Sequence, residues 1–168
     1  MPQRDQLILT TLLEIKQEKL NQAEIALKRR REELAAEFAK LTKAEEKLEA
    51  EALARQIAID KLSEEISKIS TAAKIDARRK HIQNVADPAY LIANDNLEKQ
   101  KKAVERAEHA LEDARAVVNE LLKKIEKLNL SLKIAGKAAA KLELRAEEIK
   151  NDEVGSAGFI LRKLGEKK

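Results

Sequence analysis

The residues of this chain that could do chemistry are two histidines, several adjacent carboxylates and two basic clusters. A helical metal site would need convergent ligands, such as two His at i, i+4 on one face. His81 and His109 lie far apart, and neither has a second His at that spacing. There is no Cys, so disulfides and the commonest structural zinc sites are excluded. Acid–base catalysis would use paired carboxylates, and Glu32-Glu33, Glu45-Glu46 and Glu147-Glu148 are adjacent. In a chain that is 38% charged they read as a solvated helix face. A phosphate cradle needs a Gly-rich loop between strand and helix. None of the four Gly residues is placed that way. The expectation is no catalytic, cofactor-binding or metal-binding residue, and no enzyme.

The basic clusters are Lys28-Arg29-Arg30-Arg31 and Arg78-Arg79-Lys80-His81. Four consecutive helical residues point to all sides, and Glu24, Glu32 and Glu33 flank the first cluster. It lacks the one-sided basic stripe that nucleic-acid binding requires, so no nucleic-acid partner is expected. The second cluster lies near Tyr90, Leu91 and Ile92. An aromatic ringed by Arg has the composition of an interaction hot spot. The alternative is that Tyr90 caps a seam at a turn.

The elements that carry these residues are helices. Ala, Glu, Lys, Leu and Arg number 27, 23, 23, 23 and 11, together 107 of 168 residues. That bias with a seven-residue period signals coiled coil. Four Gly and two Pro leave too little punctuation for sandwiches, barrels or doubly wound sheets. Aromatics are only 2%, which suits a thin Leu/Ala seam rather than a wide core. Basic and acidic residues number 34 and 30, a net charge of +4, split evenly between the halves. The longest apolar runs, such as Ala89–Ala93, fall far short of the roughly 20 residues that span a bilayer. A cytosolic chain with no membrane insertion is expected.

Leu13, Leu20, Leu27, Leu34, Leu41 and Leu48 recur every seven residues. Arg55 interrupts the row, and Leu62 and Ile69 resume it. Phe38, Ala52, Ile59 and Ile66 give a patchier second row, which puts Phe38 in the seam. In a second arm Leu97, Val104, Leu111, Val118, Ile125, Leu132, Ala139 and Ala146 form one row. Gln100, Ala107, Ala114, Leu121, Leu128, Ala135, Leu142 and Ile149 form the other. Sustained rows spaced three and four apart predict helices that supercoil with a partner. Between the arms lies Asp87-Pro88, which reads as a helix start with Asp87 as N-cap; the start moves to near 95 if Asn94 or Asp95 is the cap. The predicted fold is all-α, a long antiparallel two-helix coiled-coil hairpin forming one elongated domain over 1–168. Its arm one covers about 7–82, its tip about 80–95, its arm two about 88–153 and its tail 154–168. Each arm is about 60 residues, or about 90 Å at 1.5 Å per residue.

A hairpin puts both termini at one end. Leu7, Ile8, Leu9, Leu12, Phe159, Ile160, Leu161 and Leu164 then form an apolar group larger than a two-helix seam can bury. Surplus apolar surface marks a partner; the bland alternative is a self-packed plug.

Residues 12–34 carry a further pattern: Leu12-Leu13, Ile15-Lys16, Ala23-Glu24 and the basic run Lys28–Arg31 before Leu34. Lys99-Gln100-Lys101 opens arm two, and Asp152-Glu153 follows its end. This resembles the YscO/FliJ family, the stalk proteins of type III secretion and flagellar export. The resemblance implies a cytoplasmic stalk peripheral to the inner-membrane export apparatus, linking a hexameric secretion ATPase to the export-gate protein. For some members it also implies secretion chaperones or a needle-length regulator as partners. On that reading the terminal apolar group meets the ATPase, and Arg78, Arg79, His81, Tyr90 and Leu91 meet the gate. Two other readings fit the residues: a receptor-binding coiled-coil hairpin of a bacteriocin, and a generic coiled-coil scaffold.

Overall fold

Strong helix formers at nearly every position propagate helix over long stretches. The computed structural model describes residues 2–165; Met1 and the last residues of the expected tail, including Lys167 and Lys168, lie outside the described residues. Helix α1 spans Pro2–Ser67, α2 Ala72–His81 and α3 Asp87–Gly165, with a π-helical turn at Ile82–Ala86 between α2 and α3. The fold is an all-α helical hairpin. Ion pairs one turn apart lace the solvent faces: Arg30–Glu33 at 2.7 Å, Lys40–Glu37 at 2.7 Å, Lys80–Asp76 at 2.9 Å and Lys99–Asp95 at 2.6 Å.

The helix break lies at 68–71, not at 80–95. Two backbone bonds close the end of α1: Ser70 N–H to Glu65 O at 3.2 Å, and Ile69 N–H to Ile66 O at 3.3 Å. These are the two bonds of a Schellman motif, whose C′ residue must be left-handed. That residue is Ile69, with φ 52. Glycine usually takes this role because a Cβ clashes there, and a β-branched side chain is the worst fit. Ile69 therefore leaves the seam row in which its spacing placed it and stands 93% exposed. Thr71, extended at φ −60 and ψ 144, starts α2, and its main-chain oxygen accepts from the N–H of Lys74 and Ile75.

Asp87-Pro88 is not a turn, and Asp87 is not an N-cap. Asp87 is helical, with φ −64 and ψ −49, and its N–H bonds to Ile82 O five residues back. Proline removes one helical donor and its ring clashes with the carbonyl four residues earlier. The wider π turn just before Pro88 accommodates both problems without ending the helix. The expected arm one is thus split: helix to Ser67, a break, then α2 running on through the π turn into α3.

Packing divides the described chain into two units, the residues up to Glu24 with those from Val117 onward, and residues 25–116. In the second unit Ala58, Ala86, Ala93, Leu97, Val104 and Leu111 are buried. Leu27, Leu34, Leu41, Leu48 and Leu62 of α1 are half-buried, in line with the predicted row. Phe38 lies outside the seam, at 44% exposure. In the first unit Val118 is buried, and Leu13, Leu20, Ile125, Leu132 and Ala139 are half-buried. Burying so few large side chains matches a seam of Leu, Val and Ala.

Candidate interaction surfaces

Two polar contacts cross the seam of the second unit. Arg55, which breaks the Leu row of α1, donates from Nε to Asp87 Oδ1 at 2.6 Å. The same guanidinium lies 5.5 Å from the centre of the Tyr90 ring, a cation–π contact. The hydrogen bond to Asp87 and the charge of that carboxylate raise the Arg55 pKa above its ordinary value. The other contact is Gln100, whose Nε2 donates to Glu37 Oε2 at 2.6 Å and to the Glu37 main-chain oxygen at 3.1 Å. A hydrogen bond from Lys40 first, and that from Gln100 second, hold the Glu37 carboxyl below the usual range. Polar groups at seam positions fix register, because any slip leaves them unpaired.

The residues expected at the tip do not form one cluster. Arg79 and His81 are exposed near the end of α2. Arg78 is half-buried and belongs with the end of α1. There the Ser70 hydroxyl donates to Glu65 and is the main cause lowering its pKa, with smaller contributions from Lys74, Arg78 and Lys68. Tyr90 is half-buried against Arg55, so much of its ring is already engaged, while Leu91 is 64% exposed. Sequence reading missed Arg55 as a partner of Asp87 and Tyr90. A charged residue in an otherwise strict Leu row was the available signal.

The apolar residues near the termini also separate into two groups. Leu7, Ile8 and Leu12 are exposed and Leu9 is half-buried on the first turns of α1. Leu12 and Lys16 line a shallow groove with Lys124, Lys127, Leu128 and Ser131 of α3. Gln6 Nε2 lies 3.7 Å from where a Cβ on Gly136 would sit, which places the start of α1 beside that part of α3. Phe159 is 159 − 136 = 23 residues farther along α3, roughly 35 Å at helical rise. Phe159, Ile160, Leu161 and Leu164 therefore do not join Leu7–Leu12 in one plug. From Lys141 to Gly165 every residue of α3 is exposed. The helix runs through Gly155 and Gly158, where the repeat was expected to give way to a tail.

Among the described residues no group of acidic or His side chains is placed to hold a metal ion. Among the described residues no helix is long and apolar enough to cross a membrane. A hairpin carrying these rows is not specific to one family, so comparison with known proteins decides. The model of the YscO-like proteins matches residues 5–164. The chain belongs to the YscO-like family. A solved structure described as that of a YscO homologue from Chlamydia trachomatis agrees, with a TM-score of 0.82 and 28% identity. The match covers 95% of this chain and 96% of that one. No curated protein matches the chain. The YscO-like family is related to type III secretion proteins and is a family of secretion components.

Proposed function

We propose that this YscO-like chain is a non-enzymatic central stalk of a type III export apparatus, linking the hexameric secretion ATPase to the export-gate protein. The observation that carries the reading is the uncovered stretch of α3 from Lys141 to Gly165. It exposes Phe159, Ile160, Leu161 and Leu164 by 58–70%. A helix with that much apolar surface and no cover among the described residues suits insertion into a partner. Leu7, Ile8, Leu9 and Leu12 supply a second, separate patch toward the ATPase. The gate contact falls to the α2 side, with Arg78, Arg79, His81, Tyr90 and Leu91. Secretion chaperones or a needle-length regulator would share these surfaces. The protein would act in the cytoplasm, at the periphery of the inner-membrane apparatus.

A pull-down against the purified cognate ATPase and the gate protein's cytoplasmic domain tests this. The full chain is expected to retain both. Phe159→Ser with Leu164→Ser should lose the ATPase and keep the gate. Arg79→Glu with Leu91→Ser should do the reverse. Retention of neither protein by the folded wild-type chain would sink the proposal.

A further inference from the structure

The seam face of α3 does not stop where α1 stops. Gln6 packs beside Gly136, so antiparallel packing brings the start of α1 to about residue 140 of α3. Seam positions are half-buried up to Ala139 and exposed from Leu142 onward. The same face continues beyond that point. Leu142, Ala146 and Ile149 follow the row, and Ile160 lies eleven residues after Ile149, three helical turns on. Leu164 follows one turn later. Leu142, Ile149, Ile160 and Leu164 are exposed by 51%, 60%, 58% and 63%.

Two observations say what covers this face. Helices of this kind draw most of their stability from packing, yet Gly155 and Gly158 each weaken this stretch by about 1 kcal/mol relative to Ala. Among the described residues no atom lies close enough to either glycine to require the missing Cβ. The stretch is also ordered in charge. Glu147, Glu148, Asp152 and Glu153 against Lys150 give residues 147–153 a net charge of −3, and Arg162 and Lys163 give residues 154–165 a net charge of +2. The nine ion pairs among the described residues all lie at or before Lys124, so none of these charges is paired there. Lys163 only reaches over the Phe159 ring, 5.1 Å from its centre.

A segment acidic in its first part and basic in its second is complementary to itself when two copies run antiparallel. We infer that the α3 stretch 149–165 pairs with the same stretch of a second copy across a two-fold axis near Ala157. Each partner helix then lies on the seam face that α1 leaves open, antiparallel to α3 as α1 is. Asp152 and Glu153 of one copy face Lys163 of the other. Small residues at Ser156 and Ala157 let the backbones approach at the crossing, and Ile149, Ile160 and Leu164 fill the seam. The contact is isologous. Only a few turns are paired, so the dimer is weak and depends on salt. The inference stands whether or not the same face also meets the ATPase, because it concerns the chain alone.

Sedimentation equilibrium of the full chain over a wide concentration series tests it. A monomer–dimer equilibrium is expected. Lys163→Glu should weaken it at least ~5-fold, about 1 kcal/mol. Adding Asp152→Lys and Glu153→Lys to that variant should restore it. The chain has no cysteine, so single substitutions report geometry by disulfide crosslinking. Ala157→Cys, at the axis, should crosslink to itself, and Leu164→Cys should not. A monomer at every concentration, indifference to Lys163→Glu or failure of the charge swap to restore pairing would each overturn the inference. So would equal crosslinking at both positions, which indicates parallel packing.

Discussion

Arg55 Nε meets Asp87 Oδ1 at 2.6 Å, and this one ion pair ties α1 to the residue just before Pro88. It explains two features at once. The Leu row of α1 is interrupted at Arg55 because that position faces Asp87 and Tyr90 rather than another aliphatic side chain. The helix passes through Asp87-Pro88 because a π turn takes up the proline and Asp87 is held against α1.

Both partners are partly exposed, so the pair contributes more to register than to stability. Arg55→Ala and Asp87→Ala should each lower the urea midpoint slightly, and the double variant should lose less than the sum. Arg55→Leu should leave the midpoint unchanged or raise it while loosening register. Disulfide trapping between cysteines placed on α1 and α3 checks the register. A strictly additive pair of losses would show that the two residues do not interact.

Ile69 holds a left-handed conformation that costs a non-glycine residue about 1–2 kcal/mol. Ile69→Gly should therefore stabilise the chain, by about 1 kcal/mol after allowing for the freer unfolded glycine. Thermal and urea unfolding measure it. Ile69 is almost fully exposed, so no packing is lost to offset the gain. A destabilised variant would mean that the turn is not the Schellman motif described.

Acid should weaken the fold through carboxylates held below their ordinary pKa. Hydrogen bonding lowers Glu37, through Lys40 and Gln100, and Glu65, through Ser70. A group depressed on folding contributes stability above its unfolded pKa, about 4.3 for Glu. That contribution is lost as pH falls through the folded value. The urea midpoint should stay flat from neutral pH to about 5 and then decline. Glu37→Gln and Glu65→Gln should each flatten the decline, which a pH series of urea titrations would reveal.

Buried and uncovered apolar positions should respond in opposite ways. Leu111→Ala removes a buried seam side chain and should cost about 2–4 kcal/mol. Leu164→Ser, on the exposed stretch of α3, should change monomer stability by less than about 0.5 kcal/mol. Circular dichroism melts at low protein concentration compare the two. Comparable losses would mean that residues 141–165 pack on the rest of their own chain.

The seam was legible where heptad spacing is uninterrupted. Leu97, Val104, Leu111 and Val118 were read as one row, and all four are buried. The turn was not legible. Pro88 is the strongest local signal for a break, and a π turn neutralised it. The break fell instead at Ile69, whose residue type and spacing both argue for continued helix. Nothing in the sequence marks a Schellman motif built without glycine. The apolar surplus near the termini was visible as composition. Its division into two patches was not, because that follows from where α1 begins along α3. Sequence periodicity fixes faces, but only the position of the turn fixes which residues of the two helices lie opposite one another.

The stalk reading is tested most directly by titrating the full chain against the purified hexameric ATPase and following binding by light scattering or calorimetry. Saturable binding by the wild type is expected, weakened ~10-fold or more by Phe159→Ser with Leu164→Ser. Undiminished binding by that variant would contradict the assignment of the α3 stretch. Absence of binding by the wild type, with both proteins folded, would contradict the account as a whole.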